Sequence, residues 1–226
     1  MNVLAIETAT SSCGVGLRTS AGVQVTRVVD EHRRHTEVLT VSIARLLDEC
    51  ALVARDLDRV VVDAGPGLFT GLRVGLATAS AMAHALGCAI VGVSSLELLA
   101  HGAHRAGVRG TLVTALDARR GELFVQTFAL GDDVVELDSP AVAKPARVVT
   151  QWSRDASALT VTGDGVLRYA DDFAELAPAA IFAQSVPSLE AALALGAARR
   201  AQGHVAPLYL CDADAVANFA TRERRA

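Results

Sequence analysis

The order of extended and helical patterns in the first 105 residues limits the folds open to this chain more than any other feature. Three extended segments come before the first helix, and a single strand precedes each later helix. The predicted segments are strands over 3–6, 14–17 and 23–29, a helix over 36–50, a strand over 60–62, a helix over 71–86, a strand over 89–93 and a helix over 96–103. Three meandering strands followed by strand–helix units favour an α/β fold with a mixed sheet.

A second start of the same type indicates a two-lobed chain. The apolar strand 3–6 ends at Glu7 before a polar turn, and the apolar strand 111–116 ends at Asp117 before another polar turn. Two such repeats are typical of actin-like, ribonuclease-H-like folds, which hold a nucleotide between their lobes. An acid that follows any ordinary strand produces the same local pattern, so both interpretations stay open.

The periodic signal weakens after Leu130, which predicts a reduced second lobe. The remaining predicted elements are a strand over 158–161, a helix over 189–200 and a last strand over 205–210. We therefore predict an N-terminal ribonuclease-H-like lobe over residues 1–105 and a smaller, degenerate C-terminal lobe over residues 106–226. Mixed sheets flanked by helices are expected in this two-lobed actin-like ATPase fold.

Composition excludes several classes of protein. Of the 226 residues, 51% are hydrophobic and 20% are charged, with 21 basic against 25 acidic side chains, which excludes disorder and argues against a nucleic-acid coat. Four cysteines without a C-x-x-C pair encode neither a zinc knuckle nor a disulfide framework, so a reducing cytoplasm is expected. The N-terminus does not resemble a signal peptide, and the apolar stretch 79–93 is too short to span a membrane.

A glycine-rich turn between a strand and a helix is the sharpest local motif. The strand 60–62 leads into Gly65-Pro66-Gly67, after which Thr70 occupies the expected N-cap of a helix that begins at Gly71. Backbone N–H groups at such a turn bind phosphate, which makes this a candidate phosphate loop. The motif is neither a Walker A sequence nor a G-x-G-x-x-G fingerprint, and a tight turn chosen for close packing explains it equally well.

Glu7 and Thr8 form a second candidate phosphate loop at the end of the first strand. Hydroxyl and N–H groups of such a turn hold phosphate oxygens, and the acid can hold Mg²⁺ through water, although an ordinary polar turn has the same composition. Asp63 and Asp117 are the other well-placed acids, but neither has a partner that marks it as a catalytic base. The paired histidines lack further ligands, so we predict no catalytic residue and no metal site.

Two helices offer apolar faces that suit either a core or a partner. The first has a stripe at helical spacing, and the second is rich in alanine, which lets helices approach closely. A core position is the default for both, and the partner interpretation assigns to the interface Leu39, Ile43, Leu46, Leu47, Ala77 and Ala81.

Six motifs follow one another along the chain in a definite order and spacing. They are Ala5-Ile6-Glu7-Thr8-Ala9-Thr10, His35-Thr36-Glu37, the segment from Gly65 to Gly75, Gly92-Val93-Ser94-Ser95-Leu96, Asp117-Ala118-Arg119-Arg120-Gly121-Glu122 and Pro207-Leu208-Tyr209-Leu210. Together they resemble the TsaB or YeaZ-like family of bacterial tRNA threonylcarbamoyladenosine synthesis. This chain has Glu7 where the family commonly has Asp and Leu68 where Ser is usual, and Asp63-Ala64 precedes the glycine turn.

The resemblance implies a non-catalytic subunit rather than an enzyme. It implies binding to the catalytic paralogue TsaD together with the ATPase TsaE, and contact with tRNA through that complex. The helical face assigned to the paralogue would also suit pairing of two copies, so a homodimer and a monomer both stay open for the chain alone. ATP or ADP with Mg²⁺ at the complex interface is the only cofactor implied, and the two metal-binding histidines of the paralogue fall on Ser95 and Leu99 here. The alternatives are an actin-like small-molecule kinase or ATPase that acts alone, and a peptidase, for which no nucleophile or metal set is present.

Overall fold

The computed structural model describes residues 1–22, 24–29, 35–152, 159–174 and 180–210. The first half contains β1 (Val3–Glu7), β2 (Cys13–Arg18), β3 (Gln24–Val29), α1 (His35–Glu49), β4 (Arg59–Asp63), α2 (Phe69–Leu86), β5 (Ala89–Val93) and α3 (Ser95–Arg105). The second half contains β6 (Gly110–Arg119), β7 (Glu122–Leu130), β8 (Val134–Glu136), β9 (Ala141–Ala143), α4 (Pro145–Trp152), β10 (Leu159–Thr162), α5 (Asp164–Arg168), α6 (Ala170–Ala174), β11 (Ala180–Phe182) and α7 (Leu189–Ala198). Within these ranges no helix combines the length and apolarity needed to cross a bilayer.

The first sheet has the strand order β3-β2-β1-β4-β5. Its first three strands form an antiparallel meander, whereas β4 and β5 add to β1 in parallel. This is the mixed sheet that the sequence predicts. Because β1 and β4 run in the same direction, Glu7 and Asp63 end at the same edge of the sheet.

The second sheet repeats the first in its topology. Its order β8-β7-β6-β10-β11 again combines antiparallel β6–β7–β8 pairing with parallel β6–β10–β11 pairing, and β9 adds to β7. The predicted two-lobed α/β fold is confirmed. The second lobe is reduced in its helices rather than in its sheet, since α4, α5 and α6 have only 8, 5 and 5 residues.

The helices and sheets alternate in layers. Leu4 and Ile6 of β1 face α1 and α2, while the intervening Val3 and Ala5 face α7 and α3. The opposite side of α3 packs against β6 and β7, and α4, α5 and α6 cover the outer face of the second sheet. Helix α3 therefore lies between the sheets, and α7 lies beside α3 on the same face of the first sheet.

The position of α7 was not evident from the sequence. Although α7 follows the second sheet along the chain, its Leu189 and Leu193 pack on the first sheet, and Gly196 lies against Val61. Arg59 of β4 donates to carbonyl groups at the end of α7. The boundary between residues 105 and 106 stays a prediction.

Two local expectations need correction. Residues 205–210 do not form a strand, because no described strand lies alongside them. Among the described residues, a single backbone hydrogen bond holds this segment, from Leu208 N–H to the Ala64 carbonyl at 2.7 Å. Helix α2 begins two residues earlier than predicted, so its N-cap is Leu68, and Thr70 lies inside the first turn.

The apolar stripe of α1 belongs to the core. Its four members pack against the first sheet, and none is more than 6% exposed: Leu39, Ile43, Leu46 and Leu47. A partner that approaches α1 therefore meets the opposite face, where Val41 is 48% exposed. Ala77 and Ala81 of α2, by contrast, lie at the surface.

Replacing Leu46 by Ala should lower the free energy of unfolding by about 2–5 kcal/mol, because it leaves a cavity at a fully buried position. Val41→Ala on the exposed side of the same helix should change it by less than about 0.5 kcal/mol. Urea denaturation of both variants measures the difference, and equal effects would contradict the orientation of α1.

Candidate functional site

The candidate site is the cleft between the two lobes. The turn after β1 and the loop after β4 form one wall, and the β6–β7 turn with the start of α5 forms the other. The cleft is lined by Ala9, Thr10, Gly67, Leu68, Leu116, Asp117, Arg119 and Asp164. Its cavity of about 10 Å³ holds about one water molecule. A nucleotide needs a pocket of several hundred Å³, so nucleotide binding between these residues requires the lobes to separate.

The carboxylate of Glu7 closes its own turn. Its Oε1 accepts hydrogen bonds from the N–H groups of Ala9 and Thr10, at 2.9 and 3.1 Å, and from the Thr10 hydroxyl at 3.2 Å. The side chain is buried. Glu7 thus engages the same N–H groups that a phosphate in this turn would use.

The loop after β4 packs directly on that turn. Leu68 N–H donates to the Ala9 carbonyl at 2.7 Å, and a Cβ on Gly67 would overlap this carbonyl. The Thr8 hydroxyl donates to the carbonyl of Gly71 at 2.8 Å. The structure thus brings both predicted phosphate loops together, and these contacts support the close-packing interpretation of the glycines.

Gly65 and Pro66 form the bend of this loop. Gly65 has φ +101°, in the left-handed region that favours glycine, and its carbonyl accepts from Ser95 N–H at 2.8 Å. The Gly65–Pro66 peptide bond is cis. The predicted loop residues lie in and beside the cleft, with Thr70 exposed at the start of α2.

Asp63 is the site residue whose surroundings the sequence did not reveal. Its Oδ1 accepts from Gly65 N–H at 2.8 Å and from the Ser95 hydroxyl at 2.6 Å, whereas its Oδ2 is buried without a hydrogen-bond partner among the described residues. Asp63 therefore ties the loop after β4 to the first residue of α3. One indication of this site was present in the sequence, namely that Glu7 and Asp63 each stand at the end of a strand. In the fold these two strands pair in parallel.

Glu7 and Asp63 form a buried pair of acids. Burial raises the pKa of Asp63 to about 7. Burial, followed by the negative charge of Asp63, raises the pKa of Glu7 well above its ordinary value. Near neutral pH the pair therefore carries fewer than two negative charges.

These acids offer few ligands for a cation. Mg²⁺ prefers six oxygen ligands and usually keeps several waters. In the part of the chain that the structure describes, no three His, Cys, Asp or Glu side chains come together. A Mg²⁺ ion at Glu7 and Asp63 would take most of its ligands from water or from a nucleotide.

The opposite wall of the cleft is built on Asp117. Its Oδ2 pairs with the guanidinium groups of Arg119 and Arg168 at 3.1 and 3.3 Å, and its Oδ1 accepts from Arg119 N–H at 2.9 Å. Its own N–H donates to Asp164, whose pKa burial raises. With both oxygens engaged, Asp117 is not arranged as a general base.

Ser95 and Leu99, the two positions that the family resemblance compares with metal-binding histidines, are both fully buried. Ser95 bonds to Asp63, and Leu99 packs against the second sheet. Both positions therefore serve the internal packing of α3.

The chain is similar to several known proteins. Residues 29–199 match the family model described as TsaD, tRNA N6-adenosine threonylcarbamoyltransferase. An uncharacterized protein of Mycobacterium leprae is 40% identical over 167 residues, which are 71% of this chain and 42% of that protein. The tRNA threonylcarbamoyladenosine biosynthesis protein TsaB of Bacillus subtilis is 31% identical over 137 residues, 60% of this chain and 58% of that protein.

A solved structure covers more of the chain. YeaZ from Pseudomonas aeruginosa superimposes with a TM-score of 0.78 at 29% identity, over 92% of this chain and 99% of that one. The matches to the two curated relatives are shorter, and the chain spans less than two thirds of the length of either relative.

Placing a methyl group at the contact between the two loops tests the packing interpretation. Gly67→Ala should lower the free energy of unfolding by on the order of 1–3 kcal/mol, because the new Cβ displaces the Ala9 carbonyl. Gly131→Ala, at an open position, is the matched control. Thermal melting of both variants measures the change in stability. A Gly67→Ala variant as stable as wild type would show that the loop is not packed against Ala9.

Asp63→Asn should reduce the pH dependence of stability. The folded chain holds the Asp63 proton up to about pH 7, whereas the unfolded chain releases it near the ordinary pKa of 3.8. Between these values the folded state binds more protons, so this group's contribution to stability falls as pH rises towards 7. Asparagine keeps the Oδ1 acceptor and removes the titration.

The free energy of unfolding of Asp63→Asn relative to wild type should therefore rise with pH, by at most about 1.4 kcal/mol per unit. Urea denaturation at several pH values between 5 and 8 measures it. A constant difference between the two proteins would refute a proton on Asp63.

Proposed function

Because the chain belongs to the TsaD threonylcarbamoyltransferase family, in its TsaB or YeaZ-like branch, we propose that it takes part in the synthesis of threonylcarbamoyladenosine on tRNA. The observation that carries the proposal is the similarity to YeaZ over 92% of the chain. The name of the Bacillus subtilis relative supplies the pathway.

The proposed role is that of a non-catalytic subunit. Four acids in or beside the cleft each make structural contacts: Glu7 closes a turn, Asp63 ties a loop to α3, Asp117 pairs with two arginines, and Asp164 accepts from Asp117 N–H. The cavity that the described residues enclose between the lobes holds about one water molecule, so a nucleotide would fit there only with the lobes apart. These observations favour an accessory subunit over an actin-like kinase or ATPase that acts alone. ATP turnover by the isolated chain would instead support the kinase or ATPase.

The proposed partners are the catalytic paralogue TsaD and the ATPase TsaE, with tRNA contacted through the complex. We place the TsaD contact on the α1–α2 face, defined as the exposed outer residues Val41, Ala44, Ala77 and Ala81. The two helices lie side by side on the outer side of the first sheet. Their small side chains let partner helices approach closely, and the same face would join two copies of the chain when TsaD is absent.

Ala77→Glu should weaken binding to the TsaD paralogue from the same organism at least about tenfold, because it places a charge at the centre of the proposed contact. Ala81→Glu should behave in the same way. Ala146→Glu, an exposed alanine of α4 on the second lobe, is the matched control. Isothermal titration with purified TsaD measures the affinities, and melting curves verify the fold.

Two outcomes would count against the proposal at different levels. If wild type binds TsaD and the Ala77 and Ala81 variants bind equally well, the contact lies elsewhere on the chain. If wild type does not bind TsaD at all, with or without TsaE, the proposed role as its subunit is wrong.

A further inference from the structure

A cluster of one arginine and two aromatic rings lies at the start of α2. The guanidinium of Arg73 is 3.8 Å from the centroid of the Phe69 ring, and its Nε donates to the hydroxyl of Tyr209 at 3.3 Å. The two rings are 5.4 Å apart. Tyr209 reaches this position because the segment after α7 is bound to the loop after β4 through Leu208 and Ala64.

Arg73 contacts Phe69 and Tyr209 but has no acidic partner among the described residues. The arginines at 27, 119, 168 and 199 each pair with a carboxylate in that part of the chain. Arg73 instead uses its Nε and one ring contact, and its Nη atoms donate to none of the described residues. A guanidinium held in this way retains the fork of donors that binds carboxylate or phosphate bidentately, with little further loss of side-chain entropy.

The surroundings of Arg73 favour a carboxylate on a protein. The exposed side of α2 continues from Arg73 through Ala77 and Ala81, which carry no charge. A phosphate backbone is bound by several basic groups acting together, and this side of α2 offers a single arginine. Arginine and aromatic side chains are instead enriched at protein interfaces, where they often supply the anchoring contacts.

We propose that Arg73, positioned by Phe69 and Tyr209, anchors the α1–α2 face to the TsaD paralogue by pairing with an Asp or Glu side chain of that partner. This inference rests on the proposed function, because it takes TsaD as the occupant of the face. It adds that the partner must present a carboxylate at the N-terminal end of α2.

The first experiment measures TsaD affinity by isothermal titration with the full chain. Arg73→Ala should weaken binding by about 10- to 100-fold, the change that loss of an interface anchor produces. Arg73→Lys should not restore wild-type affinity, because an ammonium group lacks the planar fork. Arg55→Ala, in the short 3-10 helix Ala54–Asp56 that precedes β4, is the matched control and should bind like wild type.

A charge-swap experiment identifies the partner group. Arg73→Glu is titrated against TsaD variants that each carry one surface Asp or Glu replaced by Arg. Recovery of affinity with one of these variants and not with the others supports the pairing. If none of them restores binding, the carboxylate assignment is wrong.

The remaining outcomes separate this inference from the proposed function. If Ala77→Glu abolishes binding while Arg73→Ala leaves it unchanged, the interface stands and Arg73 is not its anchor. If Arg73→Ala lowers tRNA binding and not TsaD affinity, the ligand is phosphate and the inference is overturned. Should alanine lower the melting temperature, Arg73→Gln, which keeps most of the side-chain length without the charge, takes its place in each titration.

Discussion

The parallel pairing of β1 with β4 determines the geometry of the candidate site. Because both strands end at the same edge of the first sheet, the turn after β1 and the loop after β4 must meet. Their contact is made by backbone, since Leu68 N–H donates to the Ala9 carbonyl and Gly67 contributes no side chain. The same pairing buries Glu7 and Asp63 together, so it sets both the position of this wall of the cleft and the acids that charge it.

The two walls of the cleft accommodate their acids in opposite ways. Asp63 and Glu7 are buried without a cation among the described residues, and burial favours the protonated form because an uncompensated charge is costly there. Asp117 instead lies beneath two guanidinium groups that remain partly exposed. Among the described residues, neither arrangement presents a free carboxylate to a ligand.

The outer surface of the first lobe is formed by the exposed sides of α1 and α2. Four large apolar side chains of α1 are used in the core, so its exposed side carries Val41 and Ala44 together with charged residues such as Arg45. At the start of α2 the chain adds Tyr209 from far along the sequence, which orders Arg73 against Phe69. Arg73 and the exposed Ala77 and Ala81 thus share one side of α2, away from the residues that line the cleft.

The sequence by itself determined the features that local chemistry controls. Hydrophobic periodicity located most strands and helices of the first lobe, glycine and proline located the turn at residues 65–67, and the acids at Glu7 and Asp117 indicated the duplicated topology. These signals are readable because each depends on neighbours within a few residues.

Only the tertiary structure decided which groups meet. An apolar stripe on α1 has the same pattern whether a sheet or a partner covers it, and the extended pattern of residues 205–210 does not show whether a strand lies beside it. The return of α7 to the first sheet, the bond from Ser95 to Asp63 and the approach of Tyr209 to Arg73 join residues that are far apart in sequence. Such contacts depend on how complete layers pack, because burial is a property of the assembled chain and not of any one segment.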